Sequence, residues 1–312
     1  MDVTDWLLDA DPAIRWQVMR DLTDEPAEAV ATERARVATE GWGAQLLALQ
    51  AADGQWGGGT YSPKWISTTY TLLLLRLLGL EPDAPQARAA IDRVREGVTW
   101  KRDGDSPFFG GQRETCVNGM VLQLASYFRE TGELVDRLLD RVLAEQLDDG
   151  GWNCEAPHHS HRSSFNTTIL VLEGLLERER SVAPDSAMTA ARAHGEEYLL
   201  DRRLFRSLST GAVVTSAWTR FSFPPQWHYD VLRGLEYLRA TGRRPDERCA
   251  DAIDLVRRHR RDDGRWPLQN THHARTHFQM EDGDGNPSRW NTLRALRVLR
   301  WWDGGAGLRS ME

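Results

Sequence analysis

Cysteine is scarce in this chain: Cys116, Cys154 and Cys249 are the three among 312 residues. An odd number cannot all pair internally, and a chain of this length buries enough core to need no disulfide staples, so a reducing, cytoplasmic setting is expected. Long apolar runs are missing as well. The most apolar stretch, Leu72 to Leu80, is interrupted by Arg76 and is too short for about 30 Å of hydrocarbon, so no transmembrane segment is expected. The opening residues, MDVTDWLLDADP, are acidic and carry neither the basic region nor the apolar segment of a secretory signal, which argues against export. Basic charge is in deficit, with a net charge of -7, and the dense cluster of Arg257, Arg258, Arg260 and Arg261 falls at a predicted helix end where cations suit the dipole. Nucleic acid is therefore not an expected partner. Sustained period-two runs bounded by hairpin turns are also lacking, which excludes a β architecture.

What the chain has in excess is tryptophan, thirteen against eight Phe and six Tyr. Several fall at repeated positions. Leu49 to Trp56 reads LQAADGQW, Glu145 to Trp152 reads EQLDDGGW, and His259 to Trp266 reads HRRDDGRW. The first two fit Gln-x3-Gly-x-Trp; the third keeps Asp-Gly-x-Trp with Arg260 in the Gln place. Each segment is expected to end an amphipathic helix with the glycine in the left-handed C′ conformation. The indole then folds back over the helix end, burying its area while offering an N–H to a carbonyl.

After each turn comes a strongly apolar helix. These are expected to begin near Ile66, Glu114, Phe165, Trp227 and Trp290, and they read as buried inner helices. The polar, amphipathic stretches Ala84 to Trp100, Glu133 to Gln146, Pro184 to Leu200 and Pro245 to Arg260 read as outer helices. About five helix pairs at roughly 50- to 60-residue spacing predict an all-α array of inner and outer helices. With no polar capping repeat at its ends, closure into a ring is the expected solution. The prediction is a single domain over 1–312, with repeats over roughly 40–302 and N-terminal helices over 1–39.

The Gln50 to Trp56 and Gln146 to Trp152 segments resemble the QW repeats of squalene and hopene cyclases. The helix-pair layout resembles the alpha-alpha toroid those enzymes share with protein prenyltransferase beta subunits. The resemblance covers roughly residues 40 to 302 and implies a terpenoid cyclase-like or prenyltransferase-like toroid with an apolar, isoprenoid-class substrate in its cavity. It does not extend to the chemistry. The Asp-x-Asp-Asp acid of the class II cyclases is absent, Asp282-Gly283-Asp284-Gly285 being a turn-like remnant, and no DDxxD diphosphate motif occurs. One fold hosts many reactions, so function has to come from the site.

In a closed ring the inner-helix N-termini gather at one mouth, where helix dipoles add partial positive charge. His228, Tyr229, Asp230 and Cys116 are the expected catalytic residues there, with Tyr229 or Asp230 as proton donor. Asn166, Thr167, Glu173, Asn291 and Arg294 are the expected substrate-binding residues. The plainer role for Ser67, Asn166 and Thr292 is N-capping. Glu173, Arg233, Arg294 and Arg297 interrupt apolar helices, and each either lines a polar pocket or sits in an ion pair. Thiolate and imidazole suit zinc, which makes Cys116, Cys154, His158 and His161 a candidate metal set. A second arrangement, Glu114 and Cys116 with His228, resembles the zinc ligands of protein prenyltransferases, with Glu in place of their Asp. The long loop from Pro267 to Pro287, carrying His272, His273, His277, Glu281, Asp282 and Asp284, is a candidate lid. Two functions remain open at this point. One is an enzyme acting on an apolar molecule without the cyclase acid; the other is a non-catalytic toroid that binds a peptide, lipid or protein.

Overall fold

The computed structural model describes residues 2–183 and 185–309. Helices carry the chain in order: α1 (Val3–Leu8), α2 (Pro12–Asp21), α3 (Ala27–Ala35), α4 (Gly41–Ala48), α5 (Thr68–Leu78), α6 (Pro85–Gly97), α7 (Thr115–Tyr127), α8 (Glu133–Ala144), α9 (Phe165–Ser181), α10 (Ser186–Asp201), α11 (Val231–Ala240), α12 (Ala250–Arg258) and α13 (Arg289–Arg309). The all-α class holds. Among the described residues, the strands are one two-residue antiparallel pair, Thr99–Trp100 with Ser106–Pro107, where the loop after α6 folds back on itself. The outer helix expected from Pro184 runs over Ser186–Asp201, and Pro184 itself lies outside the described residues.

The chain divides into two compact units. One comprises Thr32–Glu196 and Ala274–Phe278. Its inner helix α7 is buried at every position from Val117 to Ser126, the pattern of a helix surrounded on all sides. The outer helices are one-sided: α8 buries Val135, Leu138 and Val142, and α6 buries Ala87, Ala90, Ile91 and Val94, at the spacing of a single helical face. Helices α7 and α9 approach through glycine. A Cβ on Gly119 would lie 2.7 Å from the Leu170 carbonyl oxygen, and one on Gly174 would lie 2.5 Å from that of Gly119. Neither position has room for a side chain.

Both Gln-x3-Gly-x-Trp segments lie in this unit and are built alike. Trp56 and Trp152 are fully buried, and each indole N–H donates to a carbonyl ten residues back, Leu46 at 2.7 Å and Val142 at 2.8 Å. Their backbone N–H groups are accepted by threonine hydroxyls in the first turn of the next inner helix, Thr68 at 3.2 Å and Thr168 at 3.0 Å. The glutamine explains the other half of the motif. Gln50 Nε2 donates to the carbonyls of Gly54 and Ala90, and Gln146 Nε2 to those of Gly150 and Ala191, so one side-chain amide ties the turn to an outer helix. The glycine does not end the helix as expected. Helix α4 stops at Ala48, and Gly54 instead closes a separate turn in the left-handed region, where a Cβ would meet the Arg93 carbonyl at 2.3 Å.

The other unit comprises Met1–Ala31, Glu197–His273 and Gln279–Glu312. Its Trp266 repeats the joint: buried, indole to the Val256 carbonyl at 2.7 Å, backbone N–H to Thr292 Oγ1 at 2.9 Å. Arg260 substitutes for the glutamine with a longer 3.4 Å bond to Gly264 and a guanidinium 5.5 Å from the Trp266 ring. Helix α13 packs in this unit through charge as well as apolar area. Arg297 pairs with Glu236 of α11 and donates to Gln17 at 2.8 Å and Asp21 at 3.4 Å in α2. Burial opposes ionisation of Glu236, but Arg297 and Arg239 outweigh it and hold the carboxyl below its usual range. Arg297 is thus one of the interrupting charges that serves as an ion-pair partner.

Candidate functional site

The residues expected to share one mouth fall in two different units. Cys116, Asn166, Thr167 and Glu173 belong to one, and His228, Tyr229, Asp230, Asn291 and Arg294 to the other. Each group has its own geometry.

In the second group the fourth inner helix starts later than expected, at Val231 and not Trp227. Pro224 and Pro225 cannot supply helical N–H groups, and Gln226 sits at a φ of 53°, so the chain enters the helix only after Asp230. Asp230 is the cap. Its carboxylate accepts from Arg233 N at 2.8 Å and from the Ser222 backbone and hydroxyl at 3.1 and 2.9 Å, with Arg294 at 3.9 Å. Tyr229 is buried and donates its hydroxyl to the Leu204 carbonyl at 2.7 Å; burial first, then the neighbouring Asp230, push its pKa well up. A phenol held this way is a poor proton donor near neutral pH. Asn291 spans the Phe221 and Pro267 carbonyls at 3.2 and 3.1 Å, and Arg294 donates to Ser222 O at 2.9 Å. Arg233 donates to the carbonyls of Gln226 and His228. His228 is stacked between Trp227 and His272, with ring centroids 3.8 and 3.7 Å away.

Beside these residues lies an acid that pattern had assigned only to the lid. Glu281 reaches back to the start of α13, where its Oε1 accepts from Ser288 Oγ at 2.6 Å and from Trp290 N at 3.3 Å. Trp290 is fully buried and stacked on Phe223, ring centroids 4.4 Å apart. Burial is the main influence on Glu281, opposed by the Ser288 hydrogen bond, and its pKa is pushed up to about 7. The backbone N–H groups of Trp290 and Arg289 act in the same direction as Ser288, and burial outweighs all three. The sequence signal was the placement of an acid two residues before a turn and seven before the capping serine of an inner helix; its shifted ionisation comes from burial.

In the first group, three inner helices begin close together. Thr167 of α9 donates its hydroxyl to Cys154 Sγ at 3.4 Å, and the Cys116 backbone N–H of α7 donates to the same sulfur at 3.0 Å. Tyr61 and Tyr70, the latter on α5, stand beside them with ring centroids 5.2 Å apart, and Trp65 meets Tyr70 edge-on at 4.8 Å. The two phenol hydroxyls adjoin without the alignment of a full hydrogen bond. Burial raises both tyrosine pKa values, and the nearby Cys116, Glu114 and Cys154 raise that of Tyr61 further. Asn166 is half-buried next to Thr167, and the cap of α9 is Ser164, not Asn166. Glu173, further along α9, accepts from Gln123 at 3.5 Å.

Part of the expected lid also belongs to this unit. Ala274–Phe278 crosses the start of α5, with Trp65 N donating to Arg275 O at 2.9 Å and His277 Nε2 meeting Thr71 Oγ1 at 2.8 Å. Burial lowers the pKa of His277, so the ring that meets Thr71 is the neutral imidazole at neutral pH.

The four expected zinc ligands are not gathered at one point among the described residues. Cys116 and Cys154 come together, but His158 and His161 are exposed in the loop that follows, and no group of three His, Cys, Asp or Glu is placed to hold a metal among the described residues. The loop turns its histidines outward because Glu155 to Ser160 folds as a surface turn, with His159 N bonded to Glu155 O. Of the alternative set, Glu114 and Cys116 belong to one unit and His228 to the other. No helix among the described residues is long and apolar enough to cross a membrane.

No family model matches the chain, and no curated protein matches it. Solved structures that resemble it include a protein from Actinoplanes, at 20% identity over 94% of this chain and 90% of that one, with a TM-score of 0.44. The type II terpene cyclase MstE from Scytonema resembles it at 18% identity over 95% and 88%, with a TM-score of 0.45. A variant of MstE in complex with geranylgeranyl dihydroxybenzoate, named there as substrate, does so at 17% identity over 96% and 88%, with a TM-score of 0.39.

Proposed function

We propose that this chain is a proton-transfer enzyme of the alpha-alpha toroid class, acting on an apolar, isoprenoid-class molecule with Glu281 as the donor. The observation that carries the proposal is a partly buried carboxyl with its pKa near 7 and its Oε1 fixed by Ser288 and Trp290. A general acid works best when its pKa lies near the operating pH, because it is then both substantially protonated and able to let the proton go. The QW turns support the substrate class by resemblance.

The magnitude of the pKa narrows the chemistry. An acid of pKa about 7 is too weak to protonate an unactivated alkene, the task of the missing Asp-x-Asp-Asp motif. It suits an oxygen base, an epoxide or a carbonyl, whose protonation accompanies C–O cleavage or enolisation. Ring opening followed by cyclisation or isomerisation of an oxygenated isoprenoid is therefore the favoured reaction. Tyr229 and Asp230 then act by position: Asp230 caps α11 and Tyr229 anchors the segment before it.

The test is to incubate the protein with geranylgeranyl dihydroxybenzoate and with its terminal epoxide, and to look for product isomers of unchanged mass. The parent is expected to convert the epoxide and leave the alkene, while Glu281→Gln converts neither and melts no lower than the parent. Conversion surviving in Glu281→Gln, equal conversion of the alkene, or no conversion by the parent overturns the proposal.

A further inference from the structure

The thiols of Cys116 and Cys154 have no part in proton transfer at Glu281, yet their surroundings are specific. Two donors converge on the Cys154 sulfur, the Cys116 N–H at 3.0 Å and the Thr167 hydroxyl at 3.4 Å. They arise from the first turns of two long inner helices, whose N-terminal dipoles favour negative charge at that point. This is the environment that stabilises a thiolate. The Cys116 side chain leads in lowering the Cys154 pKa, burial opposes it, and the Thr167 bond adds to the lowering. Cys116, donating to its partner and more deeply enclosed, is driven the other way and keeps its proton. Both side chains are half-buried, within reach of a small reagent, whereas Cys249 is fully buried with its pKa pushed up to about 12.

We propose that Cys154 is a hydroperoxide-reactive nucleophile and that Cys116 resolves its oxidised form into a reversible Cys116–Cys154 disulfide. The Cys154 thiolate attacks the outer peroxide oxygen, forming S–O and breaking O–O. The departing oxygen takes a proton from solvent and leaves as alcohol, or as water from hydrogen peroxide. The Cys116 sulfur then attacks the Cys154 sulfur, forming S–S and breaking S–O, and the hydroxide leaves as water with the Cys116 proton. Two thiols lose two electrons and the peroxide gains them. The bond would join the start of α7 to the loop after the second QW turn, beside Tyr61 and Tyr70.

The full-length protein is treated with equimolar hydrogen peroxide, its remaining thiols are alkylated, and peptides are mapped by mass. The expected product is the Cys116–Cys154 disulfide, with Cys249 still alkylated and dithiothreitol restoring all three thiols. In Cys116→Ser the reaction should stop at a Cys154 sulfenic acid trapped by dimedone, while Cys154→Ser should be labelled at least about tenfold more slowly. Thr167→Val should slow disulfide formation and leave its end point unchanged, which a merely structural role for Thr167 would not do. A disulfide that includes Cys249, no disulfide at all, or equal dimedone labelling of the two serine variants overturns the proposal.

Discussion

Replacing Glu281 with glutamine should stabilise the protein at pH 8 while leaving it nearly unchanged at pH 4. Between pH 4.5 and about 7 the folded chain holds a proton on Glu281 that the unfolded chain has already released, so stability falls as pH rises through that window and levels off above it. The rise from 4.5 to about 7, at about 1.4 kcal/mol for each tenfold change in proton affinity, corresponds to about 3 kcal/mol. Solvent reaching the partly exposed carboxyl brings this toward about 2 kcal/mol. Glutamine keeps an Oε1 acceptor for Ser288 and Trp290 without carrying a charge, so the variant escapes the loss. Urea unfolding of both proteins from pH 4 to 8 measures the difference directly. The two stability curves should meet near pH 4 and separate as pH rises, with the variant on top. Parallel curves, or a variant less stable than the parent at pH 8, would refute both the raised pKa and the argument that Glu281 is a protonated donor. A gain in stability joined to a loss of activity is the trade-off expected of a residue retained for its chemistry.

Trp152→Ala should cost about 3–5 kcal/mol in urea unfolding, the usual cost of emptying a buried aromatic site, whereas Trp152→Phe should cost less because it retains most of the area and gives up the Val142 bond. Gln146→Ala removes two carbonyl bonds from a partly buried joint and should cost about 1–3 kcal/mol; Arg260→Ala, at the equivalent exposed place, should cost less than about 1 kcal/mol. Gly174→Ala places a methyl 2.5 Å from the Gly119 carbonyl and should lower stability by about 1–3 kcal/mol, as overpacking does; a melting temperature equal to the parent's would show that α7 and α9 can part without cost.

The all-α class and the joints were legible because both rest on local chemistry. Apolar spacing sets α6 and α8, and the Gln–Trp pair encodes its own hydrogen bonds within a few residues. What was not legible depends on tertiary surroundings. Trp227, His228 and Tyr229 look like a helix start by composition, but the two prolines and the cap at Asp230 delay the helix to Val231. Arg297 fits a pocket or an ion pair equally by sequence, and only α11 and α2 bring Glu236, Gln17 and Asp21 to it. The convergence of Cys154 with Cys116 was partly foreseen from the loop's place after the second QW turn, whereas the outward turn of His158 and His161 was not. Glu281 lay in plain view as a loop acid; no pattern of residues discloses the desolvation that alters it.

The clasp between each Gly-x-Trp tryptophan and the threonine of the following inner helix spans 12 residues for Trp56 and Thr68, 16 for Trp152 and Thr168, and 26 for Trp266 and Thr292. The same two atoms meet at each joint while the chain between them more than doubles. Loop closure entropy grows only by about 0.6 kcal/mol per doubling, a small charge against a joint that buries an entire indole. The framework is thus indifferent to what is inserted between clasp and clasp. One such insert carries the segment before Cys116's partner helix α9, with Cys154 in it, and another carries His277 and Glu281. New chemistry can be spliced into these intervals by lengthening alone, without any change to the helices that hold them, and the 26-residue interval is where further insertions should be tolerated best.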